Sequence, residues 1–123
     1  MAGSDEKGRT TTQVIYDHLA RRLAGDVEGD IETNYAKDVL ILSSFSTFRG
    51  HDGVRQSAAQ LAEVGAGAEF SYNRTVIEDE YAFLEWTASR HGSRTIQDGS
   101  DSFRVIHGRI VMQSIHYTAL PQT

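Results

Sequence analysis

Cysteine is absent from this chain, which removes disulfides, thiolate metal sites and cysteine nucleophiles together. A cysteine-free chain suits a reducing compartment, so a cytoplasmic location is the expectation. Proline occurs once, at Pro121, so no interior element is broken by it and glycine is left to punctuate the chain. No stretch approaches the roughly 18 consecutive apolar residues of a membrane-spanning helix. The first nine residues, Met1 to Arg9, lack the apolar segment of a secretory signal and read as a disordered lead to a single domain over residues 10–120. Positive charge is scarce: 12 Lys and Arg stand against 17 Asp and Glu, for a formal net charge of -5. The only basic doublet is Arg21-Arg22, so no stripe exists to follow a phosphate backbone, and nucleic acid is not an expected partner. Nor is there a basic amphipathic helix for an anionic membrane. No two histidines have the helical i, i+4 spacing of a zinc motif, and no metal site is expected. A Gly-x-Ser-x-Gly elbow is missing, and Gly65-Ala-Gly67 lacks the lysine of a phosphate loop.

What is present is an early cluster of helical patterns and a late run of strands. Thr10 to Ala24 carries Ile15, Leu19 and Leu23 at helical spacing, with His18 and Arg22 beside that stripe and Thr10, Thr11 or Thr12 as cap. Gly25 ends the helix, and Asp26 caps a shorter one over Val27 to Tyr35. Val39 to Ser43 and Ser46 to Arg49 read as short strands. His51 to Val64 follows as a third helix with Asp52 as its cap, burying Val54, Ala58, Leu61 and Ala62. Four β-rich segments complete the chain: Glu69 to Glu78, Tyr81 to Arg90, Arg94 to Ile106 with a bulge near Asp98-Gly99, and Arg109 to Thr118. Turns fall at Glu78-Asp79-Glu80, His91-Gly92-Ser93 and His107-Gly108. Helices first and a long meander after them predict an α+β domain, with three helices on one face of a strongly curved, mostly antiparallel sheet enclosing a conical pocket.

Strand alternation sorts the side chains. Leu84, Trp86 and Ala88 form the apolar face of their strand, so Trp86 is expected to line the hollow. Asp101, Phe103 and Val105 share one face of the next strand, with Ser102 and Arg104 opposite. An acid on an inner face is costly unless it is hydrogen-bonded or functional. Two readings of Asp101 stand open: a catalytic acid or base with a raised pKa, or a structural carboxylate satisfied by His18, Gln113 or backbone N–H groups. His18 is likewise either a proton carrier or a hydrogen-bonded core histidine. His116 is assigned to the outer face, His51 to a solvated loop, and His91 and His107 to turns.

The segments Leu23-Ala-Gly-Asp-Val-Glu-Gly-Asp30, Tyr35-Ala-Lys-Asp38, Phe48-Arg-Gly-His-Asp-Gly-Val-Arg55, Phe83-Leu-Glu-Trp-Thr-Ala88 and Asp101-Ser-Phe-Arg-Val-Ile-His-Gly-Arg-Ile110 together span nearly the whole domain. In them the chain resembles the SnoaL-like branch of the nuclear transport factor 2-like superfamily, which includes ketosteroid isomerases, scytalone dehydratase and limonene epoxide hydrolase. The resemblance implies a cone-shaped pocket. It also places Gln113, Ile115 and Tyr117 of the last strand inside, a choice that periodicity leaves nearly neutral. By similarity to ketosteroid isomerase, Asp101 falls on the oxyanion-hole acid, His18 replaces the oxyanion tyrosine, and the general-base position falls near Ser43. One of three groups is kept, so a true ketosteroid isomerase is not expected. Gly99 breaks the Arg-x-Asp of the epoxide hydrolase.

The candidate site is therefore Asp101 and His18 as catalytic groups, with Trp86, Phe103, Gln113, Tyr117, Ile115, Tyr35 and Phe48 as binding walls. Phe70 and Tyr72 are expected nearby. Two functions follow. One is a cofactor-free isomerase, cyclase or lyase acting on a hydrophobic cyclic or polyketide-like molecule. The other is a non-catalytic module that binds a small apolar ligand or dimerises. The outer sheet face carries Phe83, Thr87, Met112 and His116 and predicts a homodimer.

Overall fold

A computed structural model describes residues 8–121. The elements run α1 (Thr11–Leu23), α2 (Val27–Asn34), β1 (Tyr35–Ser43), β2 (Thr47–Arg49), α3 (Gly50–Val64), β3 (Glu69–Glu78), β4 (Tyr81–Arg90), β5 (Ser93–Ile106) and β6 (Arg109–His116). Six strands form one mixed sheet in the order β2-β1-β6-β5-β4-β3. α3 carries the chain from β2 at one edge to β3 at the other, and the antiparallel meander β3 to β6 then returns to lie parallel to β1. Three helices pack against the inner face of this curled, unclosed sheet, giving the α+β class that the element order implies.

The start of the chain is local chemistry. Thr10 and Gln13 form a reciprocal capping box on α1. Gly25 takes a left-handed φ of 76°, which lets α1 stop and Asp26 cap α2 by accepting from the Gly29 N–H. α1 buries Val14, Ile15, His18 and Leu19, but Leu23 is turned out to solvent, so the apolar stripe is one turn shorter than its spacing suggests. At the end of the expected lead, the Arg9 guanidinium donates to the Asn34 side chain at 2.8 Å and to the carbonyls of Thr33 and Gly108. The rest of that expected lead, residues 1–7, lies outside the described residues.

Three other boundaries differ from expectation. Tyr35 opens β1 rather than closing α2; its N–H still bonds the Ile31 carbonyl, but its backbone is already extended. α3 begins at Gly50 with Arg49 at the cap position and no side-chain cap. Asp52 instead lies in the first turn and accepts from Arg55, which also clamps Glu28 of α2. His51 is part of α3 and contacts the Tyr35 carbonyl at 3.0 Å, so it is not a solvated loop residue. On the same helix Ala62 is exposed, and Gly53 and Ser57 join Val54 in the interior. β6 ends at His116, two residues short.

The alternation on β4 and β5 is as the pattern requires. Leu84, Trp86, Ala88, Asp101, Phe103 and Val105 are buried, while Phe83, Glu85 and Arg104 face out. The bulge in β5 falls between the Trp86–Gly99 and Ala88–Ile96 pairs, next to the expected Asp98-Gly99. Trp86 lies directly opposite Gly99, and the indole covers the space a side chain would need. A Cβ on residue 99 would stand 2.3 Å from an indole carbon. Gly99→Ala is expected to force the indole aside and lower stability by about 1–3 kcal/mol. Urea unfolding followed by tryptophan fluorescence measures this; an unchanged midpoint with an unchanged native spectrum contradicts the packing described.

Candidate functional site

Between the sheet and the helices lies a cavity of about 200 Å³. His18, Arg22 and Leu19 of α1, the buried flank of α3, and Phe70, Tyr72, Leu84, Trp86, Asp101 and Gln113 of the sheet all contribute to its wall. Tyr35, Ile115 and Tyr117 also line it. Of the expected binding residues, two stand elsewhere. Phe103 is almost fully buried and packs edge-on behind His18, with ring centroids 5.4 Å apart. Phe48 packs against the core beside Gly53. Phe103 faces inward as alternation requires, and Phe48 is half-buried against the core, but neither lines the cavity.

Asp101 is buried on this wall, and each of its oxygens accepts one hydrogen bond. The Trp86 indole N–H donates to Oδ1 at 3.0 Å, and the Gln113 amide donates to Oδ2 at 2.9 Å. Trp86 can reach because it lies across from Gly99, two residues before Asp101, so the ring extends diagonally along β5. Gln113 is fixed in turn: its carbonyl oxygen accepts from the Tyr35 hydroxyl at 2.5 Å. Among the partners expected for Asp101, Gln113 is present and His18 is not; Trp86, expected only as a wall, takes that place. Burial raises the Asp101 pKa above the ordinary aspartate value. The hydrogen bonds from Trp86 and Gln113, and the charges of His18 and Arg22, oppose this without cancelling it.

His18 turns instead to Asp30, a residue that sequence reasoning did not single out. Its Nδ1 lies 2.7 Å from Asp30 Oδ2. Arg22 Nε donates to the same oxygen at 2.6 Å, and Asn34 donates to the other at 2.9 Å. Asp30 is fully buried. Burial alone would raise its pKa, but His18, Arg22 and the Asn34 hydrogen bond together hold it below the ordinary value. A signal was available: His18 and Arg22 stand four apart on the inward side of one helix, and two such groups need a countercharge on the neighbouring element. Asp30, next to the buried Ile31, is the acid α2 can supply. The Tyr35 hydroxyl is raised by burial, and Tyr72 is pushed up to about 12 for the same reason, so both stay protonated donors. Ser43, near the expected base position, is spent on its own turn and accepts from the N–H groups of Phe45 and Ser46.

The cavity thus holds a carboxyl group that burial keeps toward its neutral, proton-donating form, and an imidazole whose Nδ1 is anchored. Its Nε2 has no hydrogen-bond partner among the described residues. Such a pair can give a proton at one point and take one at another. The two buried acids have opposite linkage signs. Asp101, with a raised folded-state pKa, costs nothing below its unfolded pKa of about 3.9; the cost grows as pH rises from there to its folded value. Asp30, with a lowered pKa, contributes stability that is present above that unfolded pKa and lost as pH falls through the folded one. At pH 7 Asp101→Asn is therefore expected to match or exceed the wild type in stability, and Asp30→Asn to lose about 3 kcal/mol, because it strands the Arg22 guanidinium and the donors of His18 and Asn34. Urea titrations of both variants at pH 4 and pH 7 check the signs; equal losses in both contradict the assignment.

The comparisons with known proteins agree with this architecture. The family model of the SnoaL-like domain matches residues 15–113. No curated protein matches the sequence. A nuclear transport factor 2-like protein of unknown function from Mesorhizobium loti superposes with a TM-score of 0.73 at 18% identity, covering 89% of this chain and 91% of that one. A second Mesorhizobium loti protein, provisionally assigned as a SnoaL-like polyketide cyclase, gives 0.67 at 18% identity, covering 88% and 99%. TerC, crystallised with polyporic acid, gives 0.70 at 16% identity, covering 88% and 91%. At such identities the likeness is one of fold.

Proposed function

The chain belongs to the SnoaL-like domain family, and from that premise and the cavity's geometry we propose that it is a cofactor-free enzyme moving protons on a small, hydrophobic, cyclic molecule. The observation that carries this reading is a buried carboxyl and an Asp30-anchored histidine on the wall of one apolar cavity. His18 Nε2 takes a proton from a carbon next to a carbonyl. Asp101, neutral, hydrogen-bonds the oxygen that gains charge as the enolate forms. Asp101 thereby keeps the oxyanion-hole position that the resemblance gives it, while His18, which falls there on the oxyanion tyrosine, serves as the base. This division is favoured because burial leaves Asp101 suited to donating, while Asp30 at Nδ1 leaves Nε2 of a neutral His18 free to accept. Trp86 and Gln113 act as positioning residues for Asp101. The provisional assignment of a relative as a polyketide cyclase points in the same chemical direction, since cyclisation of that kind begins with an enolate.

A carbon-acid exchange assay tests this without knowledge of the natural substrate. With 2-tetralone in deuterated water, proton NMR reads the rate at which the carbon next to the carbonyl exchanges. The wild type is expected to accelerate exchange, and His18→Ala and Asp101→Asn each to lose about 100-fold of that acceleration. A folded wild type that binds the ketone and leaves its exchange rate unchanged contradicts the enzymatic reading and favours the ligand-binding module.

The partner arrangement belongs to the same proposal. The outer face carries Phe83 at 37% exposure paired across strands with Val76 at 42%, beside the half-buried Thr87 and Met112; this is apolar surface that a second copy would cover. The helices occupy the other face, so a dimer through the sheet leaves the cavity free. Phe83→Glu is expected to convert a dimer to a monomer in sedimentation velocity; a wild type that sediments as a monomer contradicts the pairing. Among the described residues no helix is long and apolar enough to cross a membrane.

A further inference from the structure

We infer that the ligand of this cavity carries an acidic oxygen, an enol or phenol bound as its oxyanion, and that Arg22 is the group on which it docks. The inference rests on the cavity being a binding site, as proposed above, and adds the chemical class of what binds.

The argument begins with hydrogen-bond capacity. A guanidinium has five N–H donors in a planar fork. Arg22 commits Nε to Asp30 at 2.6 Å, and Nη2 makes only a long 3.4 Å contact to the Tyr35 hydroxyl. Nη1 has no hydrogen-bond partner among the described residues, yet the side chain lies on the cavity wall with 19% of its surface exposed. Its head is held, charged and pre-aimed, with donors left over.

The remaining polar ends lean the same way. Tyr72 and Tyr117 line the cavity, and among the described residues their hydroxyl groups have no partner either. The one carboxyl on the wall, Asp101, already accepts from Trp86 and Gln113. Asp30 is spent on Arg22 Nε and His18 Nδ1, which leaves the outer N–H groups of the guanidinium for the cavity. Apart from His18 Nε2, the base of the proposed reaction, the wall is rich in donors and poor in unspent acceptors, which matches an oxygen-rich acceptor. Volume limits its size: a dry cavity of about 150 Å³ holds one benzene ring, so about 200 Å³ suits one substituted ring or two fused ones.

Matched probes separate charge from shape. 2-Hydroxy-1,4-naphthoquinone is an acidic enol, ionised at neutral pH, and 2-methoxy-1,4-naphthoquinone is its neutral ether on the same rings. Isothermal titration calorimetry at pH 7 is expected to give the enol at least about 10-fold tighter binding to the wild type. Arg22→Gln is expected to reduce that preference to about 2-fold or less. Arg22→Lys, which keeps the charge but not the fork, is expected to retain part of it. Equal affinity of the two quinones for the wild type, or an undiminished preference in Arg22→Gln, overturns the inference and leaves the binding cavity standing. A folded wild type that takes up neither quinone overturns both. Should Arg22→Gln fail to fold, the wild-type ratio and the Arg22→Lys variant still decide.

Discussion

The site depends on one diagonal contact across two strands: the indole of Trp86 lies over Gly99 and hands its N–H to Asp101. Without a glycine at 99 the ring has no bed. Without the ring the carboxyl loses one of its two donors and the cavity one of its walls. The second donor comes from β6, where Gln113 is oriented by the Tyr35 hydroxyl from β1. Three adjoining strands and the β4 tryptophan therefore converge on a single acid, and the meander's return beside β1 is what brings them together.

Two buried carboxylates in one small domain do opposite work. Asp30 is compensated by cationic or donating partners on three side chains and ties α2 to α1. Asp101 meets only neutral donors, and burial dominates its protonation. A buried charge without a cationic partner is a stability cost, and such costs persist where function requires them. In the function proposed above, that asymmetry gives Asp101 to chemistry and Asp30 to architecture, with His18 standing between them.

Much of this was legible in the residues. Period-2 alternation placed Trp86 and Asp101 inside, and the acidic and glycine-rich turns marked the hairpins. For β6 the alternation was almost silent, since Gln113-x-Ile115-x-Tyr117 and Met112-x-Ser114-x-His116 are about equally apolar; the family resemblance decided it. Asp30 escaped because an acid on a short helix looks like surface until His18 and Arg22 are known to face it. Phe103 illustrates a different limit: alternation tells which side of a sheet a ring faces, but not that the His18 ring packs against it. The start of β1 was missed because Tyr35 serves both elements, helical in its N–H bond and extended in its backbone.

The proposed chemistry requires Asp101 to hold its proton above the range of a free aspartic acid. Carbon-13 NMR of the side-chain carboxyl, with the Trp86 indole N–H as a second reporter, measures it directly across pH 3 to 9. A carboxyl midpoint above the ordinary value of about 3.9 is expected, with an indole shift that moves with it. A carboxyl that titrates at or below that value, or an indole resonance indifferent to the titration, contradicts it.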